Sequence, residues 1–263
     1  GLINASYNRV LININTVSGN GSIERPPYFT NFNNLPHFFA KNISVTGGLF
    51  RCGITPGSET LIKDIFPGGD GQPKFLVSTG SLMFFSALNA VNNEELWVSD
   101  GTDPGTVMVT PEINPAGSSS PQGLTFFSIA GTPYLFFSAI DSGTDRELWV
   151  RNITTGTNTK FAINGAGASN PSQFFGWNNF CYFFANDGTG EVLWRSNGVA
   201  APTKVTLPVG TTVDNTIRPV VANNQLFFVA TNATHGKELW KFDGTTASRL
   251  SDIAAGNLDS NPI

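Results

Sequence analysis

Charge is the scarcest commodity in this chain. Of 263 residues, only 13% are Asp, Glu, Lys or Arg, about half the usual share. The net charge is -4 and no Lys/Arg cluster occurs, which argues against a nucleic-acid or anionic-membrane partner. No apolar run approaches the ~20 residues of a membrane-spanning helix. Two cysteines, Cys52 and Cys181, are too few for a disulfide framework and are expected to be buried free thiols, with no bridge. Two histidines, His37 and His235, lie far apart and neither neighbours a cysteine. There is no His-Glu-x-x-His, no Cys-x-x-Cys, no phosphate-binding loop and no nucleophile elbow. Pro67-Gly-Gly-Asp-Gly71 is glycine-rich but lacks the Lys-Ser/Thr that a phosphate loop needs. A metal or nucleotide enzyme is therefore not expected. No segment of ten or more residues carries a helical period, which excludes a helical fold.

Neutral polar residues and 28 glycines fill the space that charge leaves, and 22 phenylalanines supply a large core. A surface rich in Asn, Ser and Thr fits an extracellular or cell-surface setting. Neither an initiator Met nor a signal peptide precedes Gly1, which reads as a processed product or a fragment. Sequons stand at Asn4, Asn20, Asn42, Asn152 and Asn232 as candidate N-glycosylation sites.

The pattern that remains is a repeat. A Leu-aromatic pair begins at Leu49, Leu96, Leu148, Leu193 and Leu239. A Phe-Phe pair begins at Phe38, Phe84, Phe136, Phe183 and Phe227. A proline opens each repeat at Pro27, Pro73, Pro121, Pro171 and Pro219, and another stands at Pro262. Three landmarks share one period of about 48 residues. The second repeat shows the layout best: strand a near Phe75 to Ser78, strand b from Leu82 to Ala87, strand c from Glu95 to Ser99, strand d from Thr106 to Thr110. Asp100-Gly101, Asn197-Gly198 and Asp243-Gly244 mark the turn after strand c. Four strands per repeat and a period in the forties predict an all-β fold, a β-propeller of five four-stranded blades. The blades span 27–72, 73–120, 121–170, 171–218 and 219–263. Phe-Phe on strand b would place one ring on each face of its blade, and the Trp after the strand-c Leu would fill the gap between blades.

Residues 1–26 form an N-terminal strand and linker outside the blades. Arg9-Val-Leu-Ile-Asn-Ile14 reads as a spare strand d, yet the last repeat has its own at Ser248 to Ile253. The spare strand either closes the ring or pairs with another subunit by β-augmentation.

Glu95-Leu-Trp-Val-Ser-Asp-Gly-Thr-Asp-Pro-Gly-Thr106, with Phe84-Phe-Ser-Ala87 before it and Leu61-Ile-Lys-Asp-Ile65 in the preceding repeat, resembles the ELWxxDGT repeat family. The resemblance covers nearly the whole chain. The first and fourth repeats depart from it, with Gly48-Leu-Phe-Arg-Cys52 and Val192-Leu-Trp-Arg-Ser-Asn-Gly198. It implies propeller-like blades in large, mostly bacterial, secreted or surface proteins, and no enzymatic activity.

Two sets of side chains are candidate sites. Asn42, Asn89, Asp141, Asp187 and Asn232 follow strand b in the five repeats, on the rim where b–c loops open. Converging oxygens of this kind bind a cation or sugar hydroxyls. The same residue types also start Asx turns, and that reading is the weightier. No cofactor is expected, calcium at this rim being the one exception. Glu95, Glu147 and Glu238 recur on strand c. Paired carboxylates serve glycosidases, but identical positions on different blades point to a repeated structural role, so no catalytic residue is assigned. The expected function is a non-catalytic extracellular module for assembly or adhesion, with itself or other surface proteins as partner. A glycan-binding lectin is the alternative, and a five-bladed glycosidase is less favoured.

Overall fold

The structure, a computed structural model, describes residues 22–23, 29–41, 45, 47–55, 57–91, 93–165, 167–250, 253–260 and 262. The spare strand expected at Arg9–Ile14 lies outside them. Every regular element among the described residues is a β-strand. The chain divides into two compact bodies, Gly1–Ser120 and Pro121–Ile263, each treated separately below.

The first body holds two antiparallel sheets. Sheet 1 contains β1 (Ser22–Ile23), β2 (Thr30–Phe32), β3 (Leu35–Lys41), β4 (Gly48–Arg51) and β5 (Thr60–Asp64). Sheet 2 contains β6 (Lys74–Ser78), β7 (Met83–Leu88), β8 (Glu94–Ser99) and β9 (Val107–Met108). The second body holds three. Sheet 3 contains β10 (Gln122–Ile129), β11 (Thr132–Ile140), β12 (Arg146–Asn152) and β13 (Asn158–Phe161). Sheet 4 contains β14 (Ser172–Trp177), β15 (Phe180–Asn186), β16 (Glu191–Ser196) and β17 (Thr203–Lys204). Sheet 5 contains β18 (Thr211–Val213), β19 (Val220–Ala222), β20 (Gln225–Asn232), β21 (Gly236–Phe242) and β22 (Ala247–Arg249).

Each sheet is a meander, because short turns join successive strands. Asn33-Asn34, Asn178-Asn179 and Asn223-Asn224 hold φ between 47° and 60° at both central positions. Paired positive φ is the type I′ geometry, and Asn tolerates it better than most residues. The opening strand of sheets 2, 3 and 4 shares one device. A residue with positive φ (Gln72, Ser120, Asn170) precedes the proline, and a second (Phe75, Gly123, Gln173) sits where the ladder slips by a bulge. The bulge turns the opening strand more sharply.

The prolines at 73, 121 and 171 stand at the starts of sheets 2, 3 and 4. Two boundaries move. β18 precedes Pro219 yet belongs to sheet 5, pairing Thr211–Val213 with Ala230–Asn232. β1 precedes Pro27 yet pairs with Ala40 and Lys41 in sheet 1. In both sheets the opening strand is split in two. The strand expected from Thr106 to Thr110 is shorter, at Val107–Met108.

Packing between consecutive sheets follows a single rule, seen three times. The face bearing the strand-c Leu meets the face bearing the strand-c Trp of the next sheet. Phe39, Leu49 and Ile62 of sheet 1 meet Met83, Phe85, Ala87 and Trp97 of sheet 2, with the Phe39 and Phe85 rings edge-on at 5.1 Å. Phe136 and Leu148 of sheet 3 meet Phe183 and Trp194 of sheet 4. Tyr182, Phe184 and Leu193 of sheet 4 meet Phe228 and Trp240 of sheet 5. Phe183 and Phe184 thus serve opposite faces, as period-2 alternation requires.

The cross-strand register corrects one landmark. The residue opposite the Trp position is Phe38, Phe85, Phe137, Phe183 and Phe228. Phe-Phe is therefore one residue out of phase in the first and fourth repeats, where the aromatic run is three long: His37-Phe38-Phe39 and Tyr182-Phe183-Phe184. Two residues expected in the core, Phe227 and Trp149, are only half-buried. The first lies on the Leu-bearing face of sheet 5, the second on the Trp-bearing face of sheet 3. Trp97, Trp194 and Trp240 donate their Nε1–H to the strand-b carbonyls of Ala87, Ala185 and Ala230 at 3.1–3.2 Å, whereas Trp149 Nε1 has no such bond.

The glycine of the turn after strand c has a packing role as well as a conformational one. Gly101, Gly198 and Gly244 have φ of 88°, 80° and 102°. A Cβ on Gly101 would lie 3.0 Å from the Phe32 ring of the preceding sheet, and one on Gly198 would lie 3.0 Å from Tyr134. The turn needs glycine to reverse and to admit a neighbour's aromatic ring.

Candidate functional site

The described rim residues each organise the loop they begin. Asn89 Oδ1 accepts from the backbone N–H of Val91 and Asn93, both at 3.0 Å. Asp141 Oδ1 accepts from Gly143 N at 3.2 Å. Asp187 Oδ1 accepts from Thr189 N and its hydroxyl. Asn232 Oδ1 accepts from Thr234 N at 2.9 Å. These are Asx turns. Asn42 lies outside the described residues.

The partner on strand d matches the charge of the rim residue. Lys160 donates to Asp141 at 2.7 Å and Lys204 to Asp187. Where the rim residue is neutral Asn89, the strand-d partner is Met108, whose sulfur accepts from Asn89 Nδ2 at 3.8 Å. The lysine hydrogen bonds hold the Asp141 and Asp187 carboxyls below their ordinary range. An ammonium group thus already sits at these two carboxylates, where a bound cation would have to stand. Among the described residues, no group of three or more His, Cys, Asp or Glu gathers to hold a metal ion.

Of the sequon asparagines, Asn152 and Asn232 are described. Both are half-buried and both spend Oδ1 on their own turn. Asn4, Asn20 and Asn42 lie outside the described residues. Cys52 and Cys181 are free and buried, and burial raises both thiol pKa values. His37 is buried, hydrogen-bonded through Nδ1 to Leu35 O at 3.0 Å, and burial lowers its pKa.

The strand-c glutamates point into the protein. Glu95, Glu147 and Glu238 are all buried, and each grips a serine of the connector that follows strand d. Glu95 accepts from Ser119 twice, Oε1 from the backbone N–H at 2.9 Å and Oε2 from the hydroxyl at 2.6 Å. Glu147 Oε2 accepts from the Ser169 hydroxyl at 2.5 Å and from Ile163 N at 3.0 Å. Glu238 Oε2 accepts from the Ser260 hydroxyl at 2.7 Å and from Ile253 N at 3.4 Å. Backbone bonds run alongside: Ser119 and Ser120 donate to Glu94 O, Ser169 and Asn170 to Arg146 O, Ser260 to Lys237 O. Each clasp fastens the connector to strand c of the sheet it has just left.

Both partners of the clasp disappear together in the first repeat. Gly48 replaces the glutamate and Gly71 the serine, and the two segments close up until a Cβ on Gly71 would lie 3.2 Å from Gly47 O. In the fourth repeat Val192 replaces the glutamate, and there the following segment forms β18 instead. The serine half of the clasp was missed at the sequence level. Its signal was available, a serine two residues before Pro121, Pro171 and Pro262 in the repeats that carry the glutamate.

No protein-family model matches the chain. No curated protein matches it in sequence. Solved structures match in fold. One, from a study of two prolyl endopeptidases and the role of inter-domain dynamics in their catalysis and specificity, has a TM-score of 0.53 at 12% identity, covering 88% of this chain and 36% of that one. A putative TolB from Agrobacterium tumefaciens has a TM-score of 0.45 at 12% identity, covering 86% and 79%. A chain of the nidogen/laminin complex has a TM-score of 0.44 at 10% identity, covering 81% and 73%. This chain thus spans little more than a third of the endopeptidase chain. These neighbours are β-propeller-like folds, in keeping with an all-β chain whose described residues form successive four- and five-stranded antiparallel sheets. At such identities the likeness is one of fold alone.

Proposed function

We propose that this chain is a five-bladed β-propeller acting outside the cell as a non-catalytic structural or adhesion module. The observation that carries the reading is the fate of the repeated polar side chains. Glu95, Glu147 and Glu238 are spent on connector clasps. Asp100, Asn152, Asn197 and Asp243 are spent on the turn after strand c. The described rim residues are spent on their own loops. What repeats in this chain is the means of building a blade. The low charge, the Asn/Ser/Thr-rich surface and the resemblance to ELWxxDGT repeats support a location at the cell surface.

Self-association through the N-terminal segment is part of the proposal. Light scattering of the full chain and of a variant lacking residues 1–20, which keeps Ser22–Ile23 for sheet 1, tests it. The expected result is an assembly for the full chain, whose monomer mass is 28.1 kDa, and a monomer lighter by the 20 deleted residues on truncation. Equal oligomeric states would refute self-association through this segment. Saturable binding on a glycan array would replace the scaffold with the lectin.

A further inference from the structure

The three clasps share the bond from serine hydroxyl to glutamate but not an electrostatic setting. The residue before the glutamate is Arg146 in sheet 3 and Lys237 in sheet 5, but Glu94 in sheet 2. Glu94 lies beside Glu95, and Glu112 on the connector adds a second negative charge near it. Lys74 of β6 is the cation on this side, and it is engaged by Glu94 Oε1 at 3.1 Å, which also accepts from the Ser86 hydroxyl at 2.7 Å. Glu95 itself is 1% exposed. A carboxyl group buried beside two acids favours its neutral form.

From this arrangement we propose that Glu95 and Ser119 form a proton-operated fastener for the connector 112–120, held when Glu95 is protonated and loosened when it ionises. The geometry accommodates the proton. With Oε2 protonated, the Glu95 hydroxyl can donate to Ser119 Oγ, which is then free to turn its own hydrogen to Glu94 O, 3.4 Å away. Oε1 continues to accept from Ser119 N. Ionisation places a charge with only these two donors in a buried site flanked by acids. Burial, then Glu112 and Glu94, raise the Glu95 carboxyl to about 7, against the lowering effect of the Ser119 bonds. A folded pKa above the unfolded one contributes stability that is complete in acid and is lost as pH rises through the folded value. The fastener therefore holds in acid and relaxes above neutrality. The serine it holds lies one residue before the end of the first compact body at Ser120.

Amide hydrogen exchange of the intact chain, corrected for the intrinsic pH dependence of exchange, tests this. Protection at Ser119 and Ser120 should fall on the order of 50-fold between pH 5 and 8, while Ser169 and Asn170, in the clasp beside Arg146, stay level. Glu95→Gln, which keeps a hydrogen-bonding side chain and cannot ionise, should flatten the Ser119 and Ser120 profile. Glu112→Gln, at a partly exposed position, should move its midpoint to lower pH. A wild-type profile at Ser119 and Ser120 no steeper than at Ser169 and Asn170 would overturn the proposal, and so would a slope that survives Glu95→Gln.

Discussion

Removing the hydroxyl of Ser169 is the sharpest test of the clasp as a structural tie. In Ser169→Ala, Glu147 Oε2 loses its 2.5 Å partner and keeps only Ile163 N–H at 3.0 Å. Hydrogen bonds to charged groups contribute about 1.5–3 kcal/mol, so the expected loss is about 2 kcal/mol. Glu147→Val leaves the half-buried Ile163 amide without its acceptor and the Ser169 hydroxyl with only Arg146 O, 3.4 Å away, at about 1–3 kcal/mol in all. The double variant removes acceptor and hydroxyl together and orphans only the Ile163 amide. It should therefore cost about 1–2 kcal/mol less than the sum of the single costs. Urea unfolding with unchanged m-values gives each number from the midpoint shift. Strict additivity, or a Ser169→Ala loss below about 0.5 kcal/mol, would show that the clasp is not a tie.

Three further outcomes follow from the same structure. Phe183→Ala, at a wholly buried ring between sheets 3 and 4, should cost about 3–5 kcal/mol in urea unfolding, and half-buried Phe227→Ala distinctly less. Asp214, bonded to Lys237 and Thr216, has its carboxyl held at about 2. Its contribution is complete above the unfolded value near 4 and is lost as pH falls towards 2; Lys237→Met should raise the Asp214 midpoint in an NMR titration and shrink that acid-side loss. Cys52 and Cys181 should resist alkylation in the native protein and both react in denaturant without reductant, read by mass; failure of either to react in denaturant would show that the thiols are not free.

The repeat, the strand order and most of the core were legible because period, alternation and turn residues are local signals. Trp97, Trp194 and Trp240 are buried and hydrogen-bonded as a half-buried pleat with a covered face requires. What escaped had non-local causes. The slip of Phe-Phe in the first and fourth repeats is invisible in spacing alone, since three consecutive aromatics fit either phase and only the cross-strand partner decides. The split opening strands of sheets 1 and 5 show only in their pairing with the ends of β3 and β20, which no local pattern names. The half-burial of Phe227 and Trp149 concerns faces whose covering element no local pattern names. The clasps were half-read. The glutamates were found, but their serines lie 22 to 24 residues further on, across a connector whose path the period does not specify.

The glutamate set illustrates how a repeat can imitate a site. Three carboxyls at the same position of three repeats look like converging acids when the chain is read as a line. In the sheets each carboxyl turns to its own connector and accepts from a backbone amide and a serine hydroxyl there. The first repeat makes the structural reading independent of any function: losing the glutamate is accompanied there by losing the serine, with Gly48 and Gly71 bringing the backbones together instead. A binding or catalytic carboxyl has no reason to vanish together with a serine 23 positions away, whereas a tie does, because an unmatched half would leave a buried polar group without a partner. Transplanting the pair is the corresponding test. Val192→Glu alone should destabilise sheet 4, since its following segment is built as β18 and presents no connector serine in the clasp position. A neutral Val192→Glu in urea unfolding would show that the strand-c position accepts a carboxyl without the clasp.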